Sequence, residues 1–135
     1  MQDVPSPKMN KFVLDASALL ALMNKEPGHE VVANAVAYSL MSSVNVSEAA
    51  IILHKHGIDI KDARILINDM LAEIVPFNDE HAFTAASLNK QTSRFGLSLG
   101  DRACLSVAYH LKLPVLTADR QWAKVHIGVP VELIR

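Results

Sequence analysis

The stretch Phe12-Val-Leu-Asp15-Ala-Ser17 decides the fold, because it joins a short apolar run to an acid where a helix is predicted to begin. Similar junctions between an apolar run and an acid recur along the chain. In a parallel sheet the carboxyl ends of the strands meet at one edge, so acids placed there would lie together. The acids placed in this way are Asp15, Glu48, Asp101 and Asp119.

Short apolar or β-branched runs alternate with longer stretches of helical periodicity, which predicts an α/β fold with a mainly parallel sheet. Strands are predicted at residues 11–14, 40–44, 73–77, 115–117 and 131–134. Helices are predicted at residues 17–24, 29–39, 46–56, 60–71, 79–94, 99–111 and 120–124. The helix at 60–71 carries an apolar face that could brace a partner or cover the protein's own core. That face consists of Ile60, Ala63, Ile67 and Leu71.

The chain has 135 residues, half of them hydrophobic, and a net charge of −1. This length fits one domain, predicted at residues 11–135, after a flexible leader at residues 1–10 that offers Met9 as an alternative start. The charge excludes binding to nucleic acid through bulk positive charge. No run reaches the roughly 20 apolar residues of a membrane helix, and no signal peptide is present, so we expect a cytoplasmic protein. The lone Cys104 is predicted to be a buried thiol.

Four clustered carboxylates would repel one another and raise each other's pKa unless a cation neutralised them. Hard oxygen ligands of this kind suit Mg²⁺ or Mn²⁺, which also bind substrate phosphate. Ser17 and Thr117 lie two residues from Asp15 and Asp119 respectively, where they can hydrogen-bond a carboxylate. The pattern therefore predicts a divalent-metal site with these two hydroxyls supporting it.

Helix capping is a competing interpretation for each acid taken singly. The segments Asn45–Glu48 and Ser98–Asp101 both have the spacing of a capping box. Asn45 could be a cap or a residue of the site, and this spacing favours the cap. Asp79 is likewise interpreted as a cap. Capping alone would accept Ser, Thr or Asn at several of these positions, whereas a metal site needs carboxylates at all four.

Other chemistries have little support in the sequence. The six histidines are scattered and are expected at the surface. His54 and His56, two apart on a helix, point away from each other and cannot share a metal. No phosphate-binding glycine loop, zinc-ligand cysteine pair or nucleophile elbow is present. Trp122 is predicted to pack in the core rather than to stack on a base.

The chain resembles the PIN-domain nucleases, specifically the VapC-type toxins of bacterial toxin–antitoxin pairs. Four segments in the same order carry the resemblance, which spans residues 11–135: Phe12–Ala21, Val44–Glu48, Leu97–Leu105 and Val115–Trp122. It implies a three-layer α/β/α fold with a central four- to five-stranded sheet and an Mg²⁺- or Mn²⁺-dependent endoribonuclease activity. It also implies a homodimer and a protein antitoxin that inserts a segment across the acidic pocket.

Transferred position by position, the resemblance makes Asp15, Glu48, Asp101 and Asp119 the catalytic metal ligands, with Ser17 and Thr117 supporting them. Basic residues near the site would hold the RNA backbone, and each of them could instead form only surface salt bridges. The candidates are Arg102 and Arg120, followed by Arg94 and Lys90.

Two alternatives stay open at this point. A receiver-like phospho-acceptor domain also gathers acids at strand ends, but it would need an early acidic pair and a lysine after a late strand, where this chain has Leu14-Asp15-Ala16 and Asp119-Arg120. A non-catalytic PIN-like module that binds RNA or protein is the second alternative.

Overall fold

A computed structural model describes residues 11–135, and the predicted leader at residues 1–10 lies outside the described residues. Five short strands form one sheet in the order β3-β2-β1-β4-β5, and every neighbouring pair is parallel. The strands are β1 Phe12–Leu14, β2 Ser39–Ser42, β3 Glu73–Val75, β4 Val115–Thr117 and β5 Val131–Leu133. The predicted α/β class and the five predicted strands are confirmed.

Helices link the strands, as parallel pairing requires. They are α1 Ala16–Met23, α2 His29–Ala35, α3 Ser43–Lys55, α4 Ile60–Met70, α5 Asp79–Ser87, α6 Asn89–Thr92 and α7 Leu99–Leu111. Short 3₁₀ segments occur at Val36–Tyr38, Ser93–Phe95 and Arg120–Lys124. No helix among the described residues is both long enough and apolar enough to span a membrane.

Successive strand residues face opposite sides of the sheet, and each side has its own core. Leu14 and Leu116 pack with α1 to α4, whereas Val13 and Val115 pack with α7 and Trp122. The alternation follows from the two-residue period of a strand. Both faces of the sheet are covered, so β2 and β4 are buried along their whole length, and the architecture is the predicted α/β/α sandwich.

The strand order places β1 at the centre of the sheet, with β2 on one side and β4 on the other. From β1 the chain continues to β2 on one side of it, and later returns as β4, which pairs with the other edge of β1. The boundary between β1 and β4 is therefore a topological switch point. Ligands of open parallel sheets bind beyond the carboxyl ends of the strands at such a point. Asp15 and Asp119 follow the two strands that flank it.

Several local predictions need correction. Helix α3 begins at Ser43, directly after β2, because the Ser42 side chain accepts a hydrogen bond from Val44 N and caps the helix there. Asn45 is therefore inside the helix and is not a cap. Helix α5 is capped by Asn78, and Asp79 lies in its first turn.

The apolar face of α4 covers the protein's own core at Ala63 and Ile67, which are fully buried, and at Leu71. Ile60, predicted on the same face, is half exposed. The predicted helix at 79–94 is divided into α5, α6 and a 3₁₀ segment.

Candidate metal centre

Asp15 is the most constrained of the four acids. Its Oδ1 accepts hydrogen bonds from Ser17 Oγ at 2.7 Å and from Ala18 N at 2.9 Å. Its Oδ2 accepts from Thr117 Oγ1 at 2.6 Å. The residue is only 5% exposed, and this burial raises its pKa to about 6 despite the three donors. Asp15 is thus both the N-cap of α1 and a fixed carboxylate at the switch point.

Thr117 and Ser17 connect β1 and β4 beside this carboxylate. Besides its bond to Asp15, Thr117 accepts a hydrogen bond on Oγ1 from Asp119 N at 3.0 Å. Ser17 Oγ accepts one from Ala118 N at 3.0 Å. The hydroxyls therefore hold the two strand ends at a fixed separation, in addition to contacting Asp15.

Asp101 and Asp119 also accept hydrogen bonds from backbone N–H groups where helical segments begin. Asp101 Oδ2 accepts from Ser98 N at 2.9 Å, and Ser98 Oγ accepts from Asp101 N at 3.2 Å, which completes the predicted capping box of α7. Asp119 Oδ1 accepts from Gln121 N at 2.9 Å. A capping role therefore does not exclude these carboxylates from a shared site.

Glu48 caps no helix, since α3 begins at Ser43 and Glu48 lies in its second turn. Its Oε1 accepts a hydrogen bond from Asn45 Nδ2 at 2.9 Å. The same Nδ2 donates to Gly100 O on α7 at 2.9 Å. A Cβ at Gly100 would collide with the Glu48 carboxylate. Asn45 and Gly100 therefore define the place where this carboxylate lies.

The four acids line one cavity of about 460 Å³ at the carboxyl edge of the sheet. Their charges interact, since Glu48 and Asp119 raise the pKa of Asp101 after burial, and Asp101 raises that of Asp15. The rest of the lining is Ala16, Ser17, Leu20, Ile51 and Ile52. No basic residue lines this cavity within the described part of the chain.

The donor set fits a hard divalent cation. Within residues 11–135, Glu48, Asp101 and Asp119 are each hydrogen-bonded through one carboxylate oxygen, so the other oxygen can serve as a ligand. Oxygen donors without sulfur or imidazole favour Mg²⁺ or Mn²⁺. No three His, Cys, Asp or Glu side chains in the described residues are close enough to form a ready-made metal cluster. Mutual repulsion of carboxylates opposes their closer approach without a cation.

The predicted basic residues lie outside the cavity. Arg102 Nη1 donates to Ala85 O on α5 at 3.0 Å, which directs the guanidinium toward α5. Arg120, Arg94 and Lys90 are exposed, and Arg94 lies over the Phe95 ring at 4.7 Å. Contact of these residues with RNA stays a prediction.

Predictions about core residues are mostly confirmed. Trp122 and Cys104 are both fully buried. His54 and His56 are exposed, whereas His81 is buried and its ring lies 5.4 Å from that of His110. The expectation that the histidines lie at the surface is wrong for His81, because its ring packs between α5 and α7.

Sequence reasoning weighed Asn45 as a cap or as a site residue and favoured the cap, and it missed Gly100. These two residues meet in a contact between α3 and α7, for which the local sequence carries no signal. Ile51 and Ile52 were identifiable, because they follow Glu48 by three and four residues and so share its helix face.

The family model of the PIN domain matches residues 12–127 of this chain. The chain therefore belongs to the PIN-domain family, as the resemblance predicted. No curated protein sequence gives a significant match.

Several solved structures share the fold. The DNA-bound VapBC from Salmonella typhimurium is 18% identical, with a TM-score of 0.71, and the match covers 94% of this chain and 100% of that one. A toxin–antitoxin complex from Klebsiella pneumoniae is 17% identical, with a TM-score of 0.72 and coverages of 93% and 98%. Mycobacterium tuberculosis VapC20, a sarcin-ricin loop cleaving toxin, is 13% identical, with a TM-score of 0.67 and coverages of 89% and 99%. At this identity the likeness establishes the fold alone.

Proposed function

We propose that the chain is a metal-dependent endoribonuclease that acts as the toxin of a toxin–antitoxin pair. The observation that carries the proposal is the position of Glu48. Three of the four acids have a capping role that would account for them, but Glu48 has none and still lines the same cavity. A cation-binding site gives all four a common purpose.

In this proposal Asp15, Glu48, Asp101 and Asp119 hold Mg²⁺ or Mn²⁺, directly or through water. A divalent cation there would activate water as the nucleophile and offset the charge that builds up on the phosphodiester in the transition state. Asp15 is fixed at both oxygens, so it sets the orientation of the site. Ser17 and Thr117 support the ionised form of Asp15, because their hydroxyls donate to it.

RNA is the proposed substrate, and the cavity suggests how it is held. The four carboxylates repel phosphate, and no basic side chain lines the cavity in the described residues. The RNA backbone must therefore be bound mainly through the cation and by basic residues beyond the rim. Arg102 and Arg120 each directly follow a site acid, and Arg120 is the exposed one of the two.

The proposed partner is a cognate antitoxin protein, and we expect a cytoplasmic homodimer. The solved structures from Salmonella and Klebsiella that share this fold are described as VapBC or toxin–antitoxin complexes. An acidic cavity with an apolar wall formed by Leu20, Ile51 and Ile52 suits a peptide that carries both a cationic and an apolar side chain.

The receiver-like alternative is not supported, because receiver domains have the strand order 2-1-3-4-5 and this sheet has the order 3-2-1-4-5. A non-catalytic module that binds RNA or protein is the second candidate. It would keep the fold and would bind RNA without cleaving it.

Incubation of the purified protein with structured RNAs distinguishes these functions. We expect cleavage with Mg²⁺ or Mn²⁺, none with chelator, and none by Asp101→Asn. Asp69→Asn is the matched control, because Asp69 is an exposed acid on α4. Cleavage by Asp101→Asn, or cleavage that survives chelation, would reject the mechanism; RNA binding without cleavage by the wild type would favour the binding module.

Expression in bacteria tests the toxin role separately. We expect growth arrest that is relieved by the product of an adjacent small gene. Arrest that persists with Asp15→Asn would show that the toxicity does not come from nuclease activity.

A further inference from the structure

We infer that Asn45 is a positioning residue, which fixes the Glu48 carboxylate and joins α3 to α7 at the metal site. The inference rests on the proposed function and adds a residue to that site. Asn45 is 1% exposed and lies in the first turn of α3.

One amide group makes both connections. Asn45 Nδ2 donates to Glu48 Oε1 on its own helix and to Gly100 O on α7, each at 2.9 Å. Gly100 immediately precedes Asp101, so the second bond also fixes the backbone beside another of the acids. Asn45 therefore sets the spacing between Glu48 and the start of α7.

The oxygen of the same amide makes no hydrogen bond among the described residues. This atom, Asn45 Oδ1, is buried. A buried acceptor without a partner is unfavourable for folding. The hydrogen bonds of this side chain are therefore made by Nδ2 alone, to Glu48 and to Gly100.

The packing around Gly100 points to the same role. A Cβ there would meet the Glu48 carboxylate, so α7 approaches Glu48 as closely as a residue without a side chain allows. Asn45 and Gly100 thus restrict the position of the Glu48 carboxylate, Asn45 by a hydrogen bond and Gly100 by the space it leaves. Removal of Asn45 leaves only the steric limit, and Glu48 can then turn away from the cavity.

Binding of Mn²⁺ alone, followed by the rise in melting temperature as the ion is added, tests the inference without any RNA. Asn45→Ala should weaken Mn²⁺ binding roughly 10- to 100-fold, the range found when supporting partners of metal ligands are removed. Its melting temperature in chelator should stay close to that of the wild type, because the mutation removes a buried unpaired acceptor along with the two bonds. Asn68→Ala is the matched control, since Asn68 donates to Arg64 O on α4, at an exposed position outside the cavity.

A double-mutant cycle with Glu48→Gln distinguishes positioning from a general structural role. If Asn45 acts through Glu48, Asn45→Ala should weaken Mn²⁺ binding of the Glu48→Gln protein by no more than about twofold, because interacting residues are not additive. Additive losses, or wild-type affinity in Asn45→Ala, would overturn the inference and leave the proposed function intact. If the wild type itself binds no Mn²⁺, the proposed function fails and the inference fails with it.

Discussion

Thr117 Oγ1 donates a hydrogen bond to Asp15 Oδ2 at 2.6 Å, between residues 102 positions apart in sequence. The same oxygen accepts from Asp119 N, so one hydroxyl connects two of the four acids. It does so at the boundary between β1 and β4, where the strand order reverses. The geometry of the proposed metal centre thus depends on a neutral side chain as well as on its carboxylates.

Thr117→Val should weaken divalent-metal affinity and RNA cleavage roughly 10- to 100-fold, because the valine keeps the shape but removes the donor. The hydrogen bond from Thr117 lowers the pKa of Asp15, so its loss should raise that pKa further. A metal titration measures the change in affinity, and cleavage rates at saturating metal measure the change in activity. Thr84→Val is the control, because Thr84 contacts His110 outside the cavity. Unchanged metal affinity in Thr117→Val would contradict the supporting role.

Asp15→Asn should stabilise the metal-free protein near neutral pH. The folded-state pKa of Asp15, about 6, lies above its value of about 3.9 in an unfolded chain, so the folded state binds the proton more tightly. The free energy of unfolding that depends on this group is therefore highest below about pH 4, falls between about pH 4 and 6, and is lowest above that. Burial also raises the pKa of Asp101, so the contribution of Asp101 to the free energy of unfolding should likewise fall as the pH rises.

Denaturant unfolding in chelator measures this effect as a difference between the two proteins. The unfolding free energy of Asp15→Asn minus that of the wild type should grow by up to about 3 kcal/mol between pH 4 and pH 7. This is the energy equivalent of the raised pKa of Asp15. Added Mn²⁺ should reverse the order by stabilising the wild type alone. A difference that does not vary with pH, or a less stable Asp15→Asn at pH 7, would contradict the assigned burial of this charge.

Gly100→Ala should displace Glu48 and reduce cleavage at limiting metal at least tenfold, with little loss of stability. The new Cβ would meet the end of a side chain, which can move, rather than backbone. The melting temperature in chelator should therefore stay within a few degrees of the wild type. When Gly100→Ala is added to the Glu48→Gln protein, the further loss of cleavage should be small. An equal loss of cleavage in the wild-type and Glu48→Gln proteins would mean that Gly100 does not act through Glu48.

Trp122→Phe should keep RNA cleavage close to wild type, and Trp122→Ala should cost about 3–5 kcal/mol of unfolding free energy. The reason is that Trp122 is fully buried on the α7 side of the sheet, so its ring fills the core and cannot stack on a base. Cleavage kinetics and denaturant unfolding measure the two effects. A Trp122→Phe protein that folds normally but loses RNA affinity would contradict the core assignment.

The fold was predictable to a large extent because its signals are local. Apolar runs of strand length, helical periodicity and the breaks between them are all recorded within short windows of sequence. The errors fell at boundaries: α3 starts at Ser43 because Ser42 supplies the cap, whereas Asn45, three residues further on, lies inside the helix. Ser and Asn are both favoured N-cap residues, so residue type alone could not choose between them.

The sequence by itself determined the α/β class, the identity of the four acids and the capping roles of Asp101 and Asp119, since each depends on residues within a few positions. Tertiary structure alone decided that Asp15 is buried against Thr117, that Asn45 contacts Gly100, and that Arg102 turns toward α5. These contacts join residues between 17 and 102 positions apart. They exist because the fold brings β1 beside β4 and α7 beside both α3 and α5, and no local preference encodes that arrangement.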